Sequence, residues 1–155
     1  MFKIGDKIFY PMHGAGEIKG IENKEVLGRT QPYYLINIPI SNLNVMVPVK
    51  NAQKLGIRPL TDPTRLDEIL ITLHERQIDS DIPWKDRFKI IMEKIKSGNI
   101  QDTATIYKYL LDRSKEKTLN TNEKALLSKV HKFLISEICM IQNINENEAE
   151  HLLIS

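Results

Sequence analysis

The sequence predicts an α+β fold, with a small, strongly bent antiparallel β-sheet or half-barrel first and an all-α helical region after it. Short segments rich in β-branched and aromatic residues, separated by turn-forming residues, fill the first sixty positions. Beyond residue 64 the apolar residues recur every three or four positions, which is the helical period. The change falls at the joint 58–63, which two prolines stiffen. We therefore expect two domains, residues 1–60 and residues 61–155.

Five strands are expected in the first domain. The segment 17–22 alternates polar and apolar side chains, as a strand with one solvent-exposed and one buried face does. Glycines at 14 and 16 precede it and predict a turn, and Gly28 falls in a polar loop. A domain of this size has little core of its own, so we expect it to pack against the helices or against a partner. The predicted strands are Lys7–Tyr10, 17–22, 33–38, 44–49 and 56–60.

Capping signals and apolar stripes predict five helices in the second domain. Pro83 fits the first turn of one helix, because proline has no backbone N–H and its fixed φ is already helical. Gly98 suits a left-handed C-cap at the other end of that helix. A further helix passes through 104–111. The remaining helix starts are indicated by Asp62 with Pro63 and by two pairs that resemble capping boxes, Asn120 with Glu123 and Asn145 with Glu148.

Composition restricts the class of protein. The chain of 155 residues is 41% hydrophobic and 27% charged, with a net charge of +2, as in ordinary globular proteins. No apolar run reaches the length needed to cross a bilayer, and the N-terminus lacks the apolar core of a signal peptide. Cys139 cannot form an internal disulfide and lies among apolar neighbours, so we expect a buried, inert thiol. These features predict a cytoplasmic protein without a membrane partner.

The sequence gives little support to an enzyme. Its four histidines lie in different predicted elements without ligand-like spacing, and no Walker-type loop or Gly-x-Ser-x-Gly motif occurs. The glycines at 14 and 16 lack the flanking strand, helix and downstream acid of a nucleotide loop. We expect no catalytic residue, no cofactor and no metal.

The segment 84–89 is the strongest candidate for a binding site. It places the single tryptophan, Trp84, at the start of a helix whose apolar stripe is interrupted by Lys85, Arg87 and Lys89. Residues 85–132 hold 12 Lys and Arg against 6 Asp and Glu, which concentrates positive charge in this part of a nearly neutral chain. An apolar ring on such a helix could wedge against bases while lysines meet phosphates. The helix pattern alone favours the alternative, in which Trp84 packs inward and the charges form a solvated surface.

Several separated segments resemble the CarD/CdnL family of bacterial RNA-polymerase-binding transcription regulators. The N-terminal signature is FKIGDKIFYPMHG at 2–14, followed by VPVKNA at 47–52. This first domain is shared with the transcription-repair coupling factor, so by itself it implies only polymerase binding. The second domain supplies WKDRFK at 84–89, EKIKSG at 93–98 and NEKALL at 122–127. The likeness covers essentially the whole chain, and its motifs occur in order.

The resemblance implies a Tudor-like or SH3-like β-domain that binds the RNA polymerase β subunit. The family's polymerase-contacting positions fall on Lys24 and Met46, where Met46 replaces a basic residue found in some relatives. The strand around Val45, Met46 and Val47 would offer its edge to a strand of the β subunit. For Val45 and Val47 themselves, ordinary core alternation is favoured over direct contact.

The resemblance also implies that the helical domain contacts promoter DNA. The family's tryptophan, described as a wedge in the minor groove at the upstream edge of the transcription bubble, falls on Trp84. This reverses the preference for a buried Trp84 drawn from the helix pattern alone. Arg87, Lys89 and Lys124 match basic positions that would contact phosphates. Asp86 departs from relatives that carry a basic residue there, which would weaken binding or turn that side chain away.

The function predicted from the sequence is therefore that of a non-catalytic transcription regulator. It would bind the polymerase β subunit and stabilise the promoter open complex, contacting DNA with little sequence specificity because the minor-groove code is degenerate. We expect a monomer, associated with the nucleoid through the polymerase. One alternative is a generic Tudor- or KOW-like module for protein or RNA partners, with purely structural helices. The other is an enzyme whose site is assembled by folding.

Overall fold

A five-stranded antiparallel sheet forms the N-terminal part of the chain. The computed structural model describes residues 1–75 and 84–154, and the side chains of residues 1–74 and 88–154. The strands are β1 (Lys7–Tyr10), β2 (Gly14–Val26), β3 (Arg29–Ile38), β4 (Leu43–Pro48) and β5 (Arg58–Pro59). Their order in the sheet is β4-β3-β2-β1-β5, and neighbouring strands pair antiparallel. Short 3-10 helical turns at Pro39–Ser41 and Val49–Asn51 flank β4.

Strand β2 begins earlier than the sequence predicted. The turn expected at 13–16 was wrong, since Gly14 and Gly16 already pair with β1. Glycine is required at 16 because a Cβ there would lie 2.5 Å from the backbone oxygen of Asn37 on β3. The strand also carries a bulge between Ile18 and Gly20. The bulge interrupts the expected alternation and bends the strand.

Strands β2 and β3 form a long hairpin with a tight two-residue turn. The turn residues Leu27 and Gly28 both have positive φ, +54° and +77°, which is the conformation that matches the twist of a two-residue hairpin. β3 therefore begins at Arg29, four residues before the predicted start. Strand β4 reaches only to the level of Tyr33, so the end of the hairpin extends beyond its neighbour.

The rest of the described chain is helical, as predicted. Asn120 caps the fourth helix: its side chain accepts from the backbone of Glu123, whose carboxylate accepts in return from the backbone of Asn120. Asn145 and Glu148 make the same reciprocal pair at the last helix. The predicted α+β class is confirmed. The helices are α1 (Pro63–Glu75), α2 (Trp84–Ser97), α3 (Ile100–Glu116), α4 (Thr121–Gln142) and α5 (Glu146–Ile154).

The described residues form two hydrophobic clusters, and the larger one crosses between the sheet and the helices. The smaller lies on one face of the sheet, around Tyr34, Ile36 and Ile38. The larger is built by all five helices and also takes in Phe9 and Ala15 from the sheet. The ring of Phe9 meets that of Phe133 edge-on at 6.1 Å between centroids. The expected packing of the sheet against the helices is therefore present.

Candidate binding surfaces

Lys24 and Met46 lie on the same outward face of the sheet. In the register, Lys24 is opposite Gln31, and Met46 is opposite Leu35, four residues further along β3. Residues an even number of positions apart on a strand share a face, so both candidates lie on the face opposite the buried cluster of Tyr34 and its neighbours. Met46 is 49% exposed. The Lys24 ammonium is partly exposed and lies 3.0 Å from the Glu22 carboxylate.

Val45 and Val47 point to the other face of the same strand. Val47 is buried in the sheet's own core, and Val45 packs half-buried against it. Any contact that these two residues make with a partner would therefore come from their backbone. That backbone is accessible in principle, because β4 is an edge strand of the described sheet. The outward sheet face that carries Met46 and Lys24, together with the edge of β4, is the outer surface.

The helix that carries the tryptophan motif begins at Trp84. The side chains of Trp84, Lys85, Asp86 and Arg87 lie outside the described residues, so the structure does not report their exposure. Further along the helix, Ile91 and Ile95 are buried and Phe88 is half-buried, which places the apolar stripe of α2 against the other helices. Lys89 is exposed and makes no ion pair with any described side chain.

Lys124 is exposed in the first turn of α4, at the rim of a surface groove between α3 and α4. The groove has a volume of 330 Å³ and a mostly apolar lining. Burial raises the pKa of the Tyr107 hydroxyl, and the Glu150 carboxylate raises it further, so this hydroxyl stays protonated at neutral pH. The groove is lined by Tyr107, Leu111, Lys124, Leu127, Ser128 and His131. Sequence reasoning found the lysine but gave no sign of the groove.

Cys139 lies in a second groove, between the sheet and α4. It is half-buried rather than fully buried. Burial raises the pKa of its thiol, and the carboxylates of Glu146 and Glu148 raise it further. The thiol is therefore largely protonated at neutral pH and a poor nucleophile.

Within the part of the chain that the structure describes, no three His, Cys, Asp or Glu side chains come together in a way that could hold a metal ion. Nor do the described helices include one of the length and apolarity that crossing a membrane requires.

Comparison with known proteins identifies the family. The sequence model of the CarD C-terminal domain matches residues 68–154, and that of the CarD-like/TRCF RID domain matches residues 2–61. The chain is similar to YdeB, a putative transcription factor of Bacillus subtilis, with 45% identity over 148 residues that cover 96% of this chain and 97% of YdeB.

Two further similarities are more limited. Atrial natriuretic peptide receptor 2 of Homo sapiens is 29% identical over 137 residues, which cover 86% of this chain but 13% of the receptor. The solution NMR structure of the 72-residue N-terminal domain of Myxococcus xanthus CarD is 27% identical, with a TM-score of 0.33, over 38% of this chain and 79% of that domain. Both family domains and the nearly full-length similarity to YdeB lead to one conclusion. The chain belongs to the CarD/CdnL family, a family of transcription factors and not a known family of enzymes.

Proposed function

We propose that this protein binds the RNA polymerase β subunit through its outer surface and stabilises the promoter open complex with its helical region. The observation that supports the first part is the placement of Lys24 and Met46 on one outward face of the sheet, with Met46 on the edge strand β4. Membership of a family whose N-terminal domain is the CarD-like/TRCF RID domain supports the choice of polymerase as the partner.

Strand addition is the binding mode that suits the outer surface. An edge strand carries backbone N–H and C=O groups that a strand of the partner can pair with, and alternate side chains then supply specificity. Met46 would supply apolar contact where some relatives have a basic residue, and its flexible thioether adapts to irregular surfaces. Val47 would support the strand from the core side, as its burial indicates.

The helical region would act on DNA through Trp84 and the exposed cations. Inserting an apolar side chain at a base step costs a few kcal/mol of unstacking, but at the edge of a melted bubble the step is already partly open. The wedge would therefore oppose re-annealing. The phosphates would be contacted by four cations, Lys85, Arg87, Lys89 and Lys124. The side chains of Lys89 and Lys124 are exposed, as this contact requires.

The polymerase contact is tested by Met46→Asp, which places a charge in the middle of the outer surface without disturbing a buried residue. We expect the affinity of the full chain for purified β subunit to fall by about tenfold or more, the range of a central interface residue. Leu55→Asp is the matched control, because Leu55 is similarly exposed at 42% but lies outside that surface. Equal binding by both variants would show that the outer surface is not the interface.

The wedge is tested by Trp84→Ala. We expect polymerase binding to be retained while the half-life of the open complex, measured by competitor challenge, becomes shorter. Ile90→Ala is the control, since Ile90 is exposed on the same helix. An unchanged half-life together with a lowered melting temperature would show that Trp84 is a core residue instead.

A further inference from the structure

Arg58 contacts three elements of the fold at once. Its Nη1 and Nη2 atoms each lie 2.8 Å from a carboxylate oxygen of Glu137 on α4. Its Nε donates to the backbone oxygen of Gly98, just after the end of α2, at 2.9 Å. The guanidinium also lies over the ring of Phe9 on β1, 4.6 Å from its centroid. One side chain of the last strand therefore joins the sheet to two helices.

Glu137 completes this joint between the sheet and the helices, which consists of Arg58, Glu137 and Thr61. Its carboxylate accepts four hydrogen bonds: two from the Arg58 guanidinium and two from Thr61, whose backbone N–H and hydroxyl each lie 2.9 Å from Oε2. Thr61 belongs to the short link between β5 and α1. The Glu137 side chain is 2% exposed. Water therefore has little access to these oxygens, and the four donors fix the direction of the carboxylate.

The surroundings of the joint leave little room for movement. A Cβ on Gly98 would lie 2.6 Å from Cγ of Pro11, so the end of α2 approaches the sheet as closely as only glycine permits. On the opposite side, the backbone N–H of Ala15 donates to the Ser136 hydroxyl at 3.0 Å. Directional hydrogen bonds and close packing thus act together between the sheet and the helices.

We infer that Arg58 and Glu137 are positioning residues that set the orientation of the DNA-binding end of α2 relative to the outer surface. This inference rests on the proposed function. Arg58 holds the carbonyl that follows the last residue of α2, and Trp84 is at the other end of that 14-residue helix. At about 1.5 Å per residue the helix is about 20 Å long. A rotation of about 10° at the joint would move its first residue by about 3.5 Å, one nucleotide step along a DNA strand.

An ion pair suits this role because its geometry is directional. Apolar packing alone allows small sliding movements, whereas a two-pronged guanidinium–carboxylate pair accepts a narrow range of angles. With the outer surface bound to the polymerase, the joint would fix the angle of α2 relative to the sheet. Trp84 would then contact a defined base step of the duplex.

The test uses the full-length protein with Glu137→Gln and, separately, Arg58→Lys. Glu137→Gln keeps the side-chain shape but removes the charge. Arg58→Lys keeps a cation beside the buried carboxylate, so that folding is retained, but one ammonium cannot reach both Glu137 and Gly98 in the same geometry. Glu116→Gln is the control, because Glu116 is an exposed carboxylate of the same region.

Three readouts are taken on each variant. Orientation is measured as the distance between spin labels on cysteines at Lys19 on β2 and Ile90 on α2, both exposed, in a Cys139→Ser background. Binding to the β subunit and the open-complex half-life are measured as above. We expect a broader distance distribution, binding within about twofold of wild type, and a half-life shortened by about fivefold or more, since small misplacements of an acting group have large kinetic effects.

An engineered disulfide between the sheet and α4 distinguishes a loss of orientation from a general loss of stability. Ala15→Cys with Ser136→Cys, in the Cys139→Ser background, places two thiols where the structure has an N–H and a hydroxyl in contact. In the Glu137→Gln protein, the oxidised form should regain a narrow distance distribution and a long half-life, and reduction should abolish both.

Two results would overturn the inference: a broadened distance with a normal half-life, or a short half-life with an unchanged distance. The Trp84→Ala variant is measured in parallel. If it keeps the wild-type half-life, the proposed wedge fails, whereas the effect of Glu137→Gln on the inter-label distance still decides whether the joint sets the orientation.

Discussion

Two glutamates on α4, each 1% exposed, show how the same chemistry supports two different parts of the molecule. Glu123, in the first turn, accepts from the Arg113 Nε and from the backbone N–H of Asn120. Glu137, about four turns further along the same helix, accepts from Arg58 and Thr61. The first pair spans 10 residues and closes a helix end, whereas the second spans 79 residues and joins the sheet to the helices.

The difference lies in what each pair constrains. Both carboxylates are shielded from water, so salt should screen neither pair as it screens surface ion pairs. Losing either arginine leaves a buried charge without its main partner. At Glu123 that loss acts on the folding of the helical region, whereas at Glu137 it also acts on how the sheet and the helices are oriented. The two pairs can therefore be separated by measuring stability and orientation on the same variants.

The largest expected effect is that of Arg113→Met on stability. The substitution leaves the Glu123 carboxylate buried and without a guanidinium, and such a loss costs about 3–5 kcal/mol. We expect the free energy of unfolding, from urea titration followed by far-ultraviolet circular dichroism, to fall by that amount. The spin-label distance between the sheet and α2 should stay as in wild type under native conditions.

Lys115→Met is the control, because Lys115 is an exposed residue of the same helix. If the free energy of unfolding of Arg113→Met falls by less than about 1 kcal/mol, the pair of Arg113 and Glu123 contributes no more than a surface ion pair does. That result would contradict the treatment of Glu123 as a buried charge that depends on its arginine. A changed distance would contradict the division between folding and orientation.

The same contrast explains what could be read from the sequence. Asn120 and Glu123 are three residues apart, so the capping box was visible as a local pattern and is confirmed. Glu137 is a single acidic residue in an apolar stretch of its helix, and no residue near it in sequence indicates Arg58 as its partner. Partners brought together only by folding leave no local pattern.

The sheet shows a similar limit. Segment 17–22 was predicted as an alternating strand, but Ile18 and Ile21 are three residues apart and both face the sheet core. The bulge between Ile18 and Gly20 makes this possible, and it also places Lys24 on the face that carries Met46. Lys24 and Met46 came from family resemblance, and their common face could be established only from the register. The role of Trp84 stays a prediction.

A smaller effect tests how tightly the joint at Glu137 is packed. Gly98 and Gly28 have nearly the same φ, +75° and +77°, but only Gly98 has neighbours in the space that a Cβ would fill. Gly28→Ala should therefore cost about 1 kcal/mol for backbone strain alone. Gly98→Ala should cost about 1–3 kcal/mol more, from overpacking against Pro11. If both variants lose the same free energy of unfolding in urea titrations, Pro11 can shift away from a Cβ at residue 98 without cost, and the contact between the sheet and the end of α2 is not tightly packed.

The smallest effect tests which residues share Glu123. Asn120→Ala removes one cap hydrogen bond of α4 and should cost about 1 kcal/mol. Because Asn120 and Arg113 act through the same glutamate, the double variant with Arg113→Met should depart from additivity by about 0.5 kcal/mol or more. Combined with Glu137→Gln, the loss from Asn120→Ala should simply add, since about 25 Å of helix separates the two residues. Non-additivity with Glu137→Gln and additivity with Arg113→Met would reverse the assignment, because coupling follows shared partners and not position on a common helix.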